Sequence, residues 1–212
     1  MTAAAAPPAA PNRIARIADR LDQAVLVGLY VWLVARLAPD GIWPQHAYAA
    51  ALLVSEGAVV LFVLLRRSAE AISLRPKDWT LALGGTGAAL LVDAGGAPFL
   101  PGLGVPLIVI GFAVHVGAKF SLRRSFGIVP ADRGVKAGGL YRLVRHPMYL
   151  GYMISHAGFF LSAPSYWNFA VYAVAWALLV ARAGLEEDFL MRNPDYRAYA
   201  KAVRRRLVPG VY

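Results

Sequence analysis

The 212-residue sequence contains no cysteine. Disulfides, iron–sulfur clusters, thiolate nucleophiles and cysteine-ligated zinc are thereby excluded. Charge is scarce as well: 16% of residues are Asp, Glu, Lys or Arg, where a soluble domain carries about a quarter. Acids are the rarer sign, 12 against 22 Lys and Arg, which leaves a formal net charge of +10. Hydrophobic residues make up 58% of the chain, and the mean hydropathy is +0.52. Runs without a charged residue recur at 79–92, 94–118 and 147–181, the last of them 35 residues long, and 47–65 is apolar but for Glu56. Repeated runs that meet or approach the ~20 residues needed to cross hydrocarbon describe a polytopic membrane protein.

Met1 to Asn12 is a tail of small residues and proline with nothing to fold around, and reads as disordered. It is not a cleaved signal, because Arg13, Arg16 and Arg20 follow the small-residue stretch and do not precede an apolar core. Six crossings are expected: 24–37, 47–65, 79 to about 97, about 103–122, 149–163, and 166 to about 185. The 35-residue run must be two helices, since as one it would span ~50 Å against a core of ~30 Å. Ser162-Ala163-Pro164-Ser165 supplies the turn of this C-terminal hairpin. Six crossings put 21 of the 22 Lys and Arg on one side, Arg36 being the exception. By the positive-inside rule that side is cytoplasmic, with both termini on it. The expectation is an all-α protein of about six transmembrane helices in the plasma (inner) membrane. Its organisation is a tail (1–12), helices 1–3 (13–100), and a core of helices 4–6 with a cytoplasmic pocket and C-terminal cap (101–212).

Two functions that such a composition invites fall away. The positive charges set topology and meet anionic headgroups, at about 1 kcal/mol each, and no nucleic-acid module accompanies them. Gly84-Gly85-Thr86-Gly87 with Asp93 looks like a dinucleotide loop, but Leu90 stands where the third glycine belongs and the stretch lies within a hydrophobic run. Small residues in a membrane helix serve close packing.

The chemistry-bearing residues gather after the fourth crossing. The segment 139–151 places Tyr141, Arg142, Arg145, His146 and Tyr149 at the cytoplasmic membrane surface. Pro147 fits the first turn of the fifth helix, so Arg145 and His146 lie beside its N-terminus, a place suited to a carboxylate or phosphate. The alternative is an interfacial anchor. Glu186-Glu187-Asp188 ends the sixth crossing, where acids oppose the helix dipole. Pairing with Arg182, Arg192 and Arg197 would explain them simply. The hairpin nevertheless returns these acids to the surface that carries Arg145 and His146. His115 and Lys119, one turn apart on the fourth helix, lie at the level of an acceptor headgroup, while Glu56 and His156 are further intramembrane ionisable groups. His146 and His156 are roughly 80° apart around a helix, which argues against a shared metal site.

Arg145-His146-Pro147-Met148-Tyr149-Leu150-Gly151, followed by Glu186-Glu187 and by Tyr196 and Tyr199, resembles the isoprenylcysteine carboxyl methyltransferases and the related phospholipid methyltransferases. Ser125-Phe126-Gly127-Ile128 and Gly138-Gly139-Leu140-Tyr141 extend the likeness, which runs from about Gly111 to the C-terminus. The resemblance implies a membrane methyltransferase that uses S-adenosylmethionine. Leu140, Tyr141, His146 and Tyr149 would line the cofactor site, and Glu186, Glu187 and Leu190 would close it. Arg145, His115 and Glu186 are the candidates for handling the acceptor, a lipid or other hydrophobic molecule, with no metal. Two alternatives stay open: an NADPH-dependent sterol or enone reductase, against which Tyr152 stands where such enzymes often have an acid, and a non-catalytic protein that keeps the pocket.

Overall fold

The computed structural model describes residues 13–37, 60–62, 64–66, 68–93 and 99–208. These residues are mostly helical, with almost no strand. The expected tail 1–12, most of the second crossing with Glu56, and the end of the third crossing lie outside the described residues.

Helix α1 covers Arg13–Leu37, beginning well before the apolar stretch at Ala24. Its first turns are amphipathic: Ala18, Asp19 and Asp22 are buried while Ile14, Ile17 and Leu21 are exposed. Counting hydropathy alone hides such a segment, because its buried face carries acids.

Helix α2 (Pro76–Gly87) continues as a 3₁₀ turn over Ala88–Leu91, so the helical stretch falls short of the expected Trp79 to Ala97. Its end is fixed from elsewhere: Asn168 accepts from the Asp93 N–H at 2.9 Å and donates to the Asp93 carbonyl at 2.8 Å. Ahead of α2, strand β1 (Ala71–Ile72) pairs antiparallel with β2 (Ala131–Asp132), matching Ala71 to Asp132 and Ile72 to Ala131. This short ladder ties the start of α2 to the loop that follows the next helix.

Helices α3 (Pro101–Leu122) and α4 (Pro147–Ser162) form the most extensive helix pair. They run antiparallel and meet through small residues spaced by seven: Gly104, Gly111 and Ala118 on α3, Gly151 and Gly158 on α4. A Cβ on Gly158 would lie 2.7 Å from the Ile108 nitrogen and 2.9 Å from the Leu107 Cβ, so the two backbones approach where only glycine fits. Helix α5 (Tyr166–Leu190) follows the expected turn, with the Ser165 hydroxyl capping the Asn168 N–H at 3.0 Å. Although α4 and α5 are consecutive, α4 packs mainly on α3 and α5 on α2. Helix α6 (Pro194–Ala202), capped by Asn193, returns the chain to the site.

By length and composition α3 from Gly102 and α5 can each cross a membrane. Most of their surface is not covered by protein: Val105, Val109, Ile110, Trp167, Phe169 and Val174 are more than half exposed. Apolar faces of this kind fit a lipid surround and not an aqueous one.

Candidate functional site

Three segments converge at the end of α5. The 3₁₀ turn Gly139–Arg142 and the start of α4 bring Tyr141, Arg145, His146 and Tyr149. The end of α5 brings Glu186, Glu187 and Leu190, and α6 brings Tyr196 and Tyr199. Gly139 makes the first turn possible: its φ is +60°, and a Cβ there would also meet the Ser121 side chain at 3.2 Å.

The two glutamates have separate partners. Glu187, 2% exposed, is hydrogen-bonded to His146 Nε2 at 3.0 Å and ion-paired with Arg145, whose Nε lies 3.0 Å from the same oxygen, and with Arg206, whose Nε lies 2.9 Å from the other. Glu186 accepts from the Tyr149 hydroxyl and from Arg182 Nε at 3.1 Å, with His146 Nδ1 at 3.7 Å. The His146 and Tyr149 rings stack, 5.5 Å between centroids and 2° from parallel, and the Arg182 guanidinium lies 5.2 Å from the Tyr149 ring centroid. The residues after α6 complete the arrangement, the Arg145 and His146 N–H groups donating to the carbonyls of Arg205 and Arg206 at 2.9 and 2.8 Å.

A cavity opens between these groups and the α3–α4 loop. Tyr141, Arg145, His146, Tyr149, Glu186, Leu190, Tyr196 and Tyr199 all line it, with Val129, Asp132 and Arg133 on the loop side. Burial, reinforced by Glu186, pushes the Tyr141 hydroxyl well above its ordinary pKa, and burial pushes Tyr196 up and Tyr199 up to about 12. These phenols stay protonated at neutral pH. Tyr199 donates to the Tyr141 carbonyl at 2.8 Å.

Of the residues singled out in the sequence, Tyr141, Arg145, His146, Tyr149, Glu186 and Leu190 thus share one cavity. Leu140 packs behind it, where its side chain would lie 3.3 Å from a Cβ on Gly117, and Glu187 sits behind Arg145 and His146 as their common counter-ion. His115 lies elsewhere, between Phe112 and Tyr152 in the α3–α4 pair. It lines neither the first cavity nor a second, mostly apolar one, which is bounded by Leu26 and Leu29 of α1, Thr86, Lys119, Tyr152, His156 and Arg182. Met148 belongs to the walls of both cavities.

Arg182, expected to pair with the acids, does pair with Glu186, and three further contributors, Arg206, Asp19 and Asp22, escaped the sequence reading. Arg182 links α5 to α2 and to the loop, donating to Thr86 Oγ1 at 3.2 Å and to the Ile128 carbonyl at 2.5 Å. Arg206 supplies a second guanidinium to Glu187. Asp19 and Asp22 form a buried ionic cluster with Arg66 and Arg133. A signal was present for the last pair: two acids three apart within an otherwise basic helical segment, a spacing that puts both on one face.

No curated protein matches the chain in a sequence comparison. A family model described as phospholipid methyltransferase matches residues 101–197, from the first residue of α3 into α6. That interval holds every residue lining the first cavity except Tyr199. Residues 101–197 are therefore similar to the phospholipid methyltransferase domain, a family that includes the isoprenylcysteine carboxyl methyltransferases.

Proposed function

We propose that this protein transfers a methyl group from S-adenosylmethionine to a lipid or other hydrophobic acceptor at the cytoplasmic face of the plasma (inner) membrane. The observation that carries the reading is the first cavity itself: in a segment similar to a methyltransferase domain, it joins a carboxylate, a guanidinium, an imidazole and stacked aromatic rings.

That donor set fits the cofactor. Glu186 is an acceptor for an ammonium or for ribose hydroxyls, Arg145 and His146 offer donors to a carboxylate, and the Tyr149 ring is a surface for a purine or a sulfonium. When bound, S-adenosylmethionine supplies an electrophilic methyl on a positively charged sulfur. The protein has then to align and to exclude water, since in-line displacement draws much of its rate from orientation. Glu187 fixes Arg145 and His146, Arg182 fixes Glu186, and Tyr141, Tyr196 and Tyr199 supply apolar rings with protonated hydroxyls that resist water entry.

The second cavity suits the acceptor's apolar portion, because it is mostly apolar and shares Met148 with the first. A carboxylate acceptor needs a cation and no base, the role of Arg145; an amine acceptor has to lose a proton, for which Glu186 is the candidate inside the first cavity, whereas His115 lines neither cavity. In this reading six crossings, with both termini cytoplasmic, set both cavities at the cytoplasmic end of α5, where the surrounding cations concentrate.

Calorimetry on detergent-solubilised protein tests the reading. S-adenosylhomocysteine should bind in the micromolar range, and His146→Ala should weaken it. Selective binding of NADPH instead would favour the reductase, and binding of neither would leave a non-catalytic protein.

A further inference from the structure

The α3–α4 loop is one wall of the first cavity, through Gly127, Val129, Asp132 and Arg133. What holds this wall in place is α1. Asp22, 1% exposed, accepts from the backbone N–H groups of Ile128 and Val129, both at 3.1 Å. Arg133 Nη2 reaches Asp19 at 2.6 Å and Asp22 at 3.4 Å, and Arg66 reaches the same two acids at 2.9 and 2.7 Å. A Cβ on Gly127 would lie 3.0 Å from Asp22 Oδ2, so the loop passes the carboxylate at glycine distance. Beyond the wall, the Ile128 carbonyl accepts from Arg182, which also binds Glu186. Hydrogen bonds thus run without a break from α1 through the loop to the cavity carboxylate.

Stability does not account for this choice of residues. Burying each ion costs several kcal/mol of desolvation, and a well-packed apolar quartet can hold a helix to a loop equally well or better. Burial and the neighbouring Arg66 even pull the Arg133 guanidinium below its ordinary pKa, against the opposing effect of Asp22 and Asp19. What directional charged bonds supply, and apolar contacts do not, is a fixed register for the loop backbone.

We infer that Asp19 and Asp22 are positioning residues of the cofactor cavity, so that α1, outside the matched interval 101–197, is part of the ligand site. The inference rests on the methyl-donor reading above. Its test is calorimetry of S-adenosylhomocysteine on the full chain in detergent, with hydrogen exchange of residues 126–136 as a second measurement. Asp22→Asn keeps the shape and an amide-accepting oxygen while removing the charge. The expected result is a dissociation constant raised about tenfold or more at unchanged stoichiometry, with faster exchange in 126–136 and unaltered exchange in α4 and α5. A reduced stoichiometry at unchanged affinity would mean that part of the protein is simply unfolded, and it overturns the inference, as does unchanged affinity with unchanged exchange. If Asp22→Asn does not fold, Asp19→Asn, at the more open edge of the cluster, is judged by the same criteria. Wild-type protein that binds no S-adenosylhomocysteine overturns the methyl-donor reading and this inference with it; a wild type that binds and a variant that binds equally overturn the inference alone.

Discussion

Adjacent glutamates at the end of α5 meet opposite surroundings. Glu187 is buried against Arg145, Arg206 and the His146 ring, whereas Glu186 faces the cavity beside Tyr149 and Arg182. Removing Glu187 leaves Arg145, His146 and Arg206 without their common counter-ion. Glu187→Ala is therefore expected to destabilise the protein by about 3–5 kcal/mol, seen as a lower thermal midpoint in detergent. That outcome differs from an expectation that Glu187 serves binding alone, and the reason is its encirclement. Glu186→Gln should instead keep the midpoint within a few degrees and weaken S-adenosylhomocysteine binding by about 1.5–3 kcal/mol, the worth of a charged hydrogen bond. The sequence marked both residues as unusual, because acids oppose the dipole at a helix C-terminus. It could not divide their roles: Arg206 approaches Glu187 only because the segment after α6 pairs with the backbone of Arg145 and His146.

At the level of elements, the hairpin of α4 and α5 was legible from helix length against bilayer thickness and from Ser162-Ala163-Pro164-Ser165. Its partners were not. Hydropathy sees α3 and α4 as uniformly apolar, while their contact is set by volume, through glycines spaced by seven. Gly158→Leu is expected to wedge the pair apart at a cost of about 1–3 kcal/mol or more, lowering the thermal midpoint, whereas Gly102→Leu, with open space around it, should change it little. Helix α1 taught the converse lesson. Its first turns bury Asp19 and Asp22, so a search for apolar runs starts the helix too late at Ala24.

Across the whole molecule, the exposed apolar faces of α3 and α5, with the one-sided distribution of Lys and Arg that six crossings would give, lead to a testable topology. The lack of native cysteine makes the chain a clean background for it. Single substitutions Pro164→Cys, at the hairpin turn, and Arg204→Cys, after α6, should react with a membrane-impermeant maleimide from opposite sides of sealed vesicles. Labelling of both from one side would remove the α4–α5 hairpin as a crossing pair.

Composition and spacing by themselves marked a mostly helical chain with helices apolar enough to cross a membrane, and singled out the Arg-His-Pro segment and the double glutamate, which the fold brings together. Those features are local, written in hydropathy, proline placement and charge sign along the chain. Only the tertiary structure decided which glutamate faces the cavity, that α3 rather than α5 is the partner of α4, and that α1 reaches the cavity wall through Asp22. Each of these depends on residues up to about a hundred positions apart meeting in space, and on burial, which turns a sequence charge into either a ligand-facing group or an internal counter-ion.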